Sequence, residues 1–251
     1  MNEWLATALQ HCQKALEERE DVEGYLLGRG MSEELIEGLG IGVWPSHFPE
    51  DFGPAPTGPF HWRHGPQGNG GNPKMTPLTD TLIVPLYSPR GGLIGMESRG
   101  IAEKKLTRFL LPSAQWNPVF IGVPLGVERI RAGGTIWIVE GVFDLGPLQL
   151  AVPETDVVLS SLRARLTDQH VEFLRRHCWG GVHMVYDNDE TGQRGTHDWT
   201  DEEGKRRWGA LTRLDKAGVE CRAIPYTGGK DPGEIWEQTG TEGLRKALRI
   251  F

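Results

Sequence analysis

The 251-residue chain carries a formal net charge of −7, with 38% hydrophobic and 24% charged residues. That is the balance of a globular protein of one large or two small domains, not of a disordered or fibrous one. No apolar run approaches membrane-spanning length, and Met1-Asn2-Glu3 lacks the basic start of a signal peptide, so no membrane partner and a cytoplasmic address are expected. Cys12, Cys178 and Cys221 stand apart with no C-x-x-C pair, which argues against a disulfide framework and a zinc ribbon and leaves zinc outside the expected cofactors.

From Met1 to Glu20, Leu5, Leu9, Cys12 and Leu16, with Trp4, Ala8 and Ala15 beside them, make a helical stripe that predicts a packed amphipathic helix. Tyr25 to Gly30 then leads into a short helix with Ser32 as N-cap and Glu33 and Glu34 in its first turn, closed by Gly38 and Gly40. The stretch from His47 to Pro77 holds seven prolines along with Trp62 and predicts a long irregular loop. His47, His61 and His64 lie in it without cysteine or close carboxylate partners, so surface or template contact is expected there rather than metal binding. Thr81–Tyr87 and Leu93–Arg99 are β-prone runs that the turn Ser88-Pro89-Arg90-Gly91-Gly92 joins into a hairpin. Between Phe60 and Arg131 nine basic residues face four acidic ones, a local balance of 9 − 4 = +5 against −12 for the remainder. A chain that is acidic overall can still offer phosphates a basic track.

After Gly133-Gly134 the pattern becomes strand–helix alternation. Strands are predicted over 135–139, 156–159, 181–186 and 220–224, and helices over 144–151, 167–177 and 205–217. Strands spaced by helices imply a parallel sheet of the doubly wound kind. A polar segment, His197 to Glu203, lies between Gly195 and Gly204. Two of the strands end in acids: Thr135–Val139 runs into Glu140 and Asp144, and Val182–Tyr186 runs into Asp187-Asn188-Asp189. A parallel sheet would gather those carboxylates on its carboxyl edge, where ligands of open α/β sheets bind. Clustered acidic oxygens call for a hard divalent cation such as Mg²⁺.

These acids, in this order after strands, resemble the Toprim fold of primases, topoisomerases and some nucleases. Asp187-Asn188-Asp189-Glu190-Thr191-Gly192 resembles the D-x-D-x-A-G run of DnaG-type bacterial primases, and Gly229-Lys230-Asp231-Pro232 their G-x-D-P segment. Tyr25 to Ser32 resembles their Y-L-x-x-R-G-hydrophobic-S motif, the hairpin ending at Arg99 their F-P-I-x-D-x-x-G-x-x-I-G-F-x-x-R run, and Thr107-Arg108-Phe109-Leu110 their P-K-Y-L. The resemblance implies an α/β chain: an N-terminal α+β primase subdomain over 1–130, a Toprim domain with a mostly parallel sheet flanked by helices over 131–228, and a short helical tail over 229–251. It also implies a stripped catalytic core, without zinc-ribbon or helicase-binding domains, of the sort a phage or mobile element carries.

The activity implied is that of a DNA primase, which makes short RNA primers on a single-stranded DNA template from ribonucleoside triphosphates. Two or more Mg²⁺ or Mn²⁺ ions, and a replicative helicase or a separate template-selecting subunit, are the cofactors and partners implied. Glu140, Asp187 and Asp189 fall at the catalytic positions; Asp144, Asp231 and Glu234 join them as metal ligands. Glu234 stands in for the second acid of the family's D-P-D, which reads Asp231-Pro232-Gly233 here. Arg99, Lys105, Arg108 and Lys230 are implied to meet nucleotide or template. Trp116-Asn117-Pro118 occupies a stretch where the family has a further lysine. Two alternatives use the same scaffold. A Toprim nuclease would cut phosphodiesters with the same ions but would not need the Tyr25–Ser32 and Gly91–Arg108 segments. A non-catalytic Toprim DNA-binding module would have no use for the acids.

Overall fold

The computed structural model describes residues 3–45, 61–64, 81–88, 91–101, 106–110 and 120–250, with backbone alone for 61–64 and 106–110. Lys105, Trp116-Asn117-Pro118 and most of the 47–77 loop lie outside the described residues. The chain divides into two compact units, Met1–Tyr25 with Ile36–Pro118, and Leu26–Leu35 with Val119–Phe251.

In the first unit, α1 (Glu3–Glu17) carries the expected stripe. It ends before Glu20: the Arg19 carbonyl accepts the Val22 and Glu23 N–H groups, and a separate helix, α2 (Glu20–Gly28), starts there. α3 (Glu33–Leu39) follows, with Ser32 Oγ accepting from Leu35 N at 3.2 Å as its N-cap; of α2 and α3, the stretch Leu26–Leu35 counts with the second unit. A five-stranded antiparallel sheet completes the unit, built from β1 (Gly42–Val43), β2 (His61–His64), β3 (Thr81–Tyr87), β4 (Leu93–Gly100) and β5 (Leu106–Leu110) in the order β1-β3-β4-β5-β2. The β3–β4 hairpin forms as the two apolar runs predict. β2 departs from the loop expected there, because its backbone finds a partner in β5, some forty residues on. Leu5, Ala8, Leu9 and Cys12 of α1 bury against Ile83 and Met96 of the sheet.

The second unit is the parallel α/β layer. α4 (Val123–Arg131) precedes β6 (Ile136–Val139), a single 3-10 turn covers Val142–Asp144, and α5 (Leu145–Ala151) and β7 (Val157–Ser160) follow. Next come α6 (Asp168–His177), β8 (Val182–Met184), α7 (Glu190–Thr196), the two-residue strands β9 (Trp199–Thr200) and β10 (Arg206–Arg207), α8 (Ala210–Lys216), β11 (Cys221–Ala223) and α9 (Pro232–Leu248). The main sheet runs β11-β8-β6-β7, every pair parallel. β6 and β7 are buried at every residue, as continuous apolar runs in a parallel sheet should be. Ile136, Ile138, Val157, Leu159, Val182 and Met184 form a core with Leu174 of α6 and Leu214 of α8. α6 opens on a capping box, in which Thr167 and His170 satisfy each other's backbone N–H.

Two expectations are corrected here. The helix predicted over 205–217 starts only at Ala210, because Asp201 accepts the Lys205 and Glu203 N–H groups and pairs with Arg207 at 2.7 Å, folding 199–207 into a small hairpin. Within the tail, where one helix from Thr241 to Leu248 is expected, the helix starts already at Pro232, with a break at Gly240 (φ 67°). The Arg29-Gly30 motif belongs to this unit: Gly30 takes φ 76°, and its carbonyl lies 2.2 Å from where a Cβ on Gly146 of α5 would be. Only glycine at position 146 allows that contact.

Candidate active site

The three strand ends deliver the acids to one place. Glu140 follows β6, Asp187 and Asp189 follow β8, and Asp231 follows β11 as the N-cap of α9. Each backbone there is held by an acid's own hydrogen bonds. Glu140 Oε1 accepts from Asp187 N at 3.2 Å, which ties the end of β6 to the end of β8. Asp144 Oδ1 accepts from Gly233 N at 3.1 Å, which ties the turn after β6 to the start of α9 across 89 residues. Asp189 Oδ1 caps α7 by accepting from Gly192 N at 3.0 Å, and Asp231 Oδ1 caps α9 by accepting from Glu234 N at 2.7 Å. Glu234 turns back over its own loop, with Oε2 accepting from Lys230 N at 2.5 Å.

Asp187 and Asp189 converge on a common cation. Lys230 Nζ lies 3.2 Å from Asp187 Oδ2 and 3.3 Å from Asp189 Oδ2. The backbone bend that lets both carboxylates face one point is fixed by Asn188 N donating to Lys230 O at 2.6 Å. Two further residues have roles that the sequence alone does not suggest. The Tyr226 hydroxyl lies 2.9 Å from both Tyr186 O and Lys230 O, and so bolts the residue before Asp187 to the residue before Asp231. Arg29, noted above only as part of a motif, pairs with Glu237 on α9. Its Nη2 is 3.3 Å from where a Gly233 Cβ would stand, beside Asp144 Oδ1 at 3.0 Å and Asp231 Oδ1 at 3.3 Å. In this chain the position of the family's second D-P-D acid is therefore closed in by Asp144, Asp231 and a guanidinium. No local pattern could have revealed Tyr226, since its partners are brought to it by the sheet.

The electrostatics follow from burial and crowding. Glu140 is pushed up to about 8, first by burial and then by Asp187, with Asp189 and Asp144 adding to it. Asp144, only 6% exposed, is raised by burial and by Asp231 and Asp187. Asp187 is also raised, because burial outweighs its bond to Lys230. Asp189 goes the other way, lowered chiefly by the Gly192 N–H. Like charges held near one another and partly out of water favour the protonated forms.

Among the described residues, no three of these side chains stand close enough together to hold a metal ion as they are. Their chemistry nonetheless fits one. The donors are all oxygen, come from three separate strand ends, and resist ionising together, which is what a hard divalent cation would relieve. The raised carboxyls carry a pH signature. A carboxyl whose folded pKa exceeds its unfolded value stabilises the fold below the unfolded pKa, near 4.5, and loses that contribution as pH rises through about 8. The metal-free protein is therefore expected to lose about 1–3 kcal/mol of stability between pH 5 and 8, less than the full shift because Glu140 is partly exposed. Melting curves at three pH values in chelator measure it; Glu140→Gln should flatten the slope, and a stability that rises with pH would contradict the electrostatics above.

Arg99 and Arg108 belong to the first unit. Arg99 lies on β4, in register with Leu82 and Leu106, and Arg108 lies on β5, in register with Glu97 and Arg63. Seven of the sequence-predicted residues, Glu140, Asp144, Asp187, Asp189, Lys230, Asp231 and Glu234, come together on the second unit.

Residues 137–236 match the Toprim-like family. A parallel sheet with acids at its carboxyl edge and that match make this stretch a Toprim-like domain. The chain is 28% identical over 173 residues to the DNA primase of Aquifex aeolicus, a match that covers 66% of this chain and 32% of that protein. The solved structure of the Aquifex aeolicus primase zinc-binding and RNA polymerase domains is similar with a TM-score of 0.69 and 22% identity, over 98% of this chain and 59% of that one. A structure of the DnaG primase catalytic domain bound to single-stranded DNA is similar with a TM-score of 0.66 and 19% identity, over 98% of this chain and 79% of that one. The fold of the chain is that of a DnaG-type primase core. It spans about a third of the length of the curated primase it matches. No helix among the described residues is long and apolar enough to cross a membrane.

Proposed function

We infer that the chain is the catalytic core of a DNA primase, joining ribonucleotides on a single-stranded DNA template. The observation that carries this reading is the meeting of Glu140, Asp187, Asp189 and Asp231 at one sheet edge, where Asp187 and Asp189 already share a cation. The Aquifex primase likeness and the structure of a related catalytic domain on single-stranded DNA support the substrate class. Glu140, Asp187, Asp189 and Asp231 would hold Mg²⁺ or Mn²⁺, with Asp144 behind them. Bound there, a pair of such ions would stabilise the attacking and leaving oxygens of nucleotidyl transfer.

The remaining work falls to the chain's own residues. Glu140 Oε1 is held by the Asp187 N–H, which leaves Oε2 to take the proton of a primer 3′-hydroxyl. Asp144, buried and bonded to Gly233 N, orients the start of α9 and so Asp231. Glu234 is engaged by Lys230 N and acts first as a brace for the G-x-D-P loop. Arg99, Lys105 and Arg108 would position template or triphosphate through phosphate contacts, which hold without reading sequence. A helicase or a separate template-selecting subunit would then supply the choice of start site.

The test is incubation of the purified chain with single-stranded DNA, ribonucleoside triphosphates and Mg²⁺ or Mn²⁺. Labelled RNA a few nucleotides to some tens of nucleotides long is expected. Shortened DNA would instead make the site a nuclease, and binding with neither product would make the chain a non-catalytic module.

A further inference from the structure

Lys230 is built unlike an ordinary surface lysine. Both ends of its peptide unit are fixed: its N–H donates to Glu234 Oε2 at 2.5 Å, and its carbonyl accepts from Asn188 N at 2.6 Å and from the Tyr226 hydroxyl at 2.9 Å. Its side chain is free by comparison. It is 56% exposed and runs over the acids so that Nζ touches Asp187 Oδ2 and Asp189 Oδ2 together. The stem is anchored and the four-carbon arm can swing.

Two carboxylates facing one point beside Glu140 and Asp144 repel each other unless a positive charge lies between them. In the chain as it stands Lys230 supplies that charge. A divalent ion held by the same two oxygens would compete with that ammonium for them. We propose that Lys230 is a resident counter-cation that holds the Asp187–Asp189 pair in the metal-free protein, is displaced when a divalent ion takes those oxygens, and then offers its ammonium to the phosphates of the nucleotide. This rests on the reading of the acids as metal ligands, and adds that loading the metal and readying a phosphate contact are one exchange. A lysine suits that role better than an arginine, since its ammonium is a compact point charge on a flexible stem with three rotatable donors. Tyr226 and Glu234 then have a purpose beyond bracing the loop, for they keep the stem in place while the head moves.

The experiment titrates Mn²⁺ alone into the metal-free full chain, reading free Mn²⁺ by electron paramagnetic resonance. Wild type, Lys230→Met, Lys230→Gln, Lys230→Arg and Asp187→Asn are compared, each first checked for folding by circular dichroism. Removing the competing ammonium should tighten Mn²⁺ binding about fivefold in the Met and Gln variants, the scale of two partly exposed ion pairs lost together. Lys230→Arg should stay near wild type, because the charge remains. With Mn²⁺ saturating, the Met and Gln variants should bind adenosine triphosphate several-fold more weakly than wild type. Mn²⁺ affinity that is unchanged or weaker in both neutral variants, while Asp187→Asn still abolishes binding, would overturn the exchange and leave the metal reading intact. Mn²⁺ binding indifferent to Asp187→Asn would overturn both. Tighter Mn²⁺ with unaltered nucleotide affinity would overturn the delivery of Lys230 to phosphate.

Discussion

Glu140→Gln and Asp187→Asn are each expected to lower primer synthesis by about 10³-fold or more while leaving the fold intact. Loss of a single electrostatic contact in a dry catalytic site already costs about 10²–10³-fold, and each variant removes a carboxylate that would hold an ion. The stability half of the expectation follows from their protonation. With Glu140 pushed up to about 8, most of it is protonated at pH 7, so a glutamine there resembles the form already present. Asp187→Asn gives up a half-exposed pairing with Lys230 but removes a charge that burial and its neighbours disfavour, so the net change should lie within about 1 kcal/mol either way. Added Mg²⁺ should then separate the proteins. At a hundred times its dissociation constant an ion stabilises the wild type by about 2.7 kcal/mol, and a double variant should show little of that gain. Denaturant midpoints with and without Mg²⁺, beside gel assays of primer yield, measure both halves. Synthesis at the wild-type rate in both variants would remove these residues from the chemistry, and collapse of the fold in both would make them structural.

Much of this site is legible in the amino-acid sequence, because it sits where local pattern and sheet topology agree. The run Ile136-Trp137-Ile138-Val139, short, β-prone and followed by helix and strand in alternation, reads as a buried strand of a parallel sheet, and the acid after it then falls on the carboxyl edge. The same logic places Asp187 after β8, whereas Asp231, further beyond β11, is read from the resemblance of Gly229-Lys230-Asp231-Pro232 to the G-x-D-P segment. What stays hidden depends on partners far away along the chain. The Asp144 bond to Gly233 spans 89 residues, and the bond from Tyr226 to Tyr186 spans 40, so neither leaves a trace in a local window.

The helix expected over 205–217 shows the other way pattern fails. Arg206, Arg207 and Trp208 continue the spacing of α8 backward, and nothing in their propensities forbids a longer helix. Asp198 and Asp201 decide otherwise: Asp198 accepts from Gly209 N at 3.0 Å and Asp201 from Lys205 N at 2.8 Å, which satisfies the backbone in a hairpin instead. The strand His61–His64 escapes local pattern for a related reason. Four residues with two histidines and an arginine carry little strand propensity, and their order comes from pairing with β5. By contrast the β3–β4 hairpin, apolar on both arms with Gly91 at φ 78° in its turn, announces itself.

Gly192→Ala is expected to damage the site as severely as losing an acid, although it alters none. A Cβ at Gly192 would lie 2.0 Å from Asp187 O and 2.8 Å from Glu140 Oε1. The first of these is a backbone atom at the end of β8, so no side-chain rotation relieves the clash. Either the Asp187 peptide or the first turn of α7 must move. Gly192 N is also the donor that holds Asp189 Oδ1 at 3.0 Å, so a shift of α7 carries Asp189 away from Asp187 and Lys230. Forcing a methyl into a packed position costs about 1–3 kcal/mol, and here the strain falls on the three acids that the proposed chemistry needs to keep together. The variant should therefore melt several degrees lower and lose its Mn²⁺ response. Gly24→Ala is the matched control: Gly24 lies inside α2 with nothing within 4 Å of its added Cβ, so the same change should stabilise the chain by about 0.5–1 kcal/mol. If Gly192→Ala instead melts like wild type and still binds Mn²⁺, the close approach of α7 to β8 does not set the spacing of Asp187 and Asp189, and some other contact must.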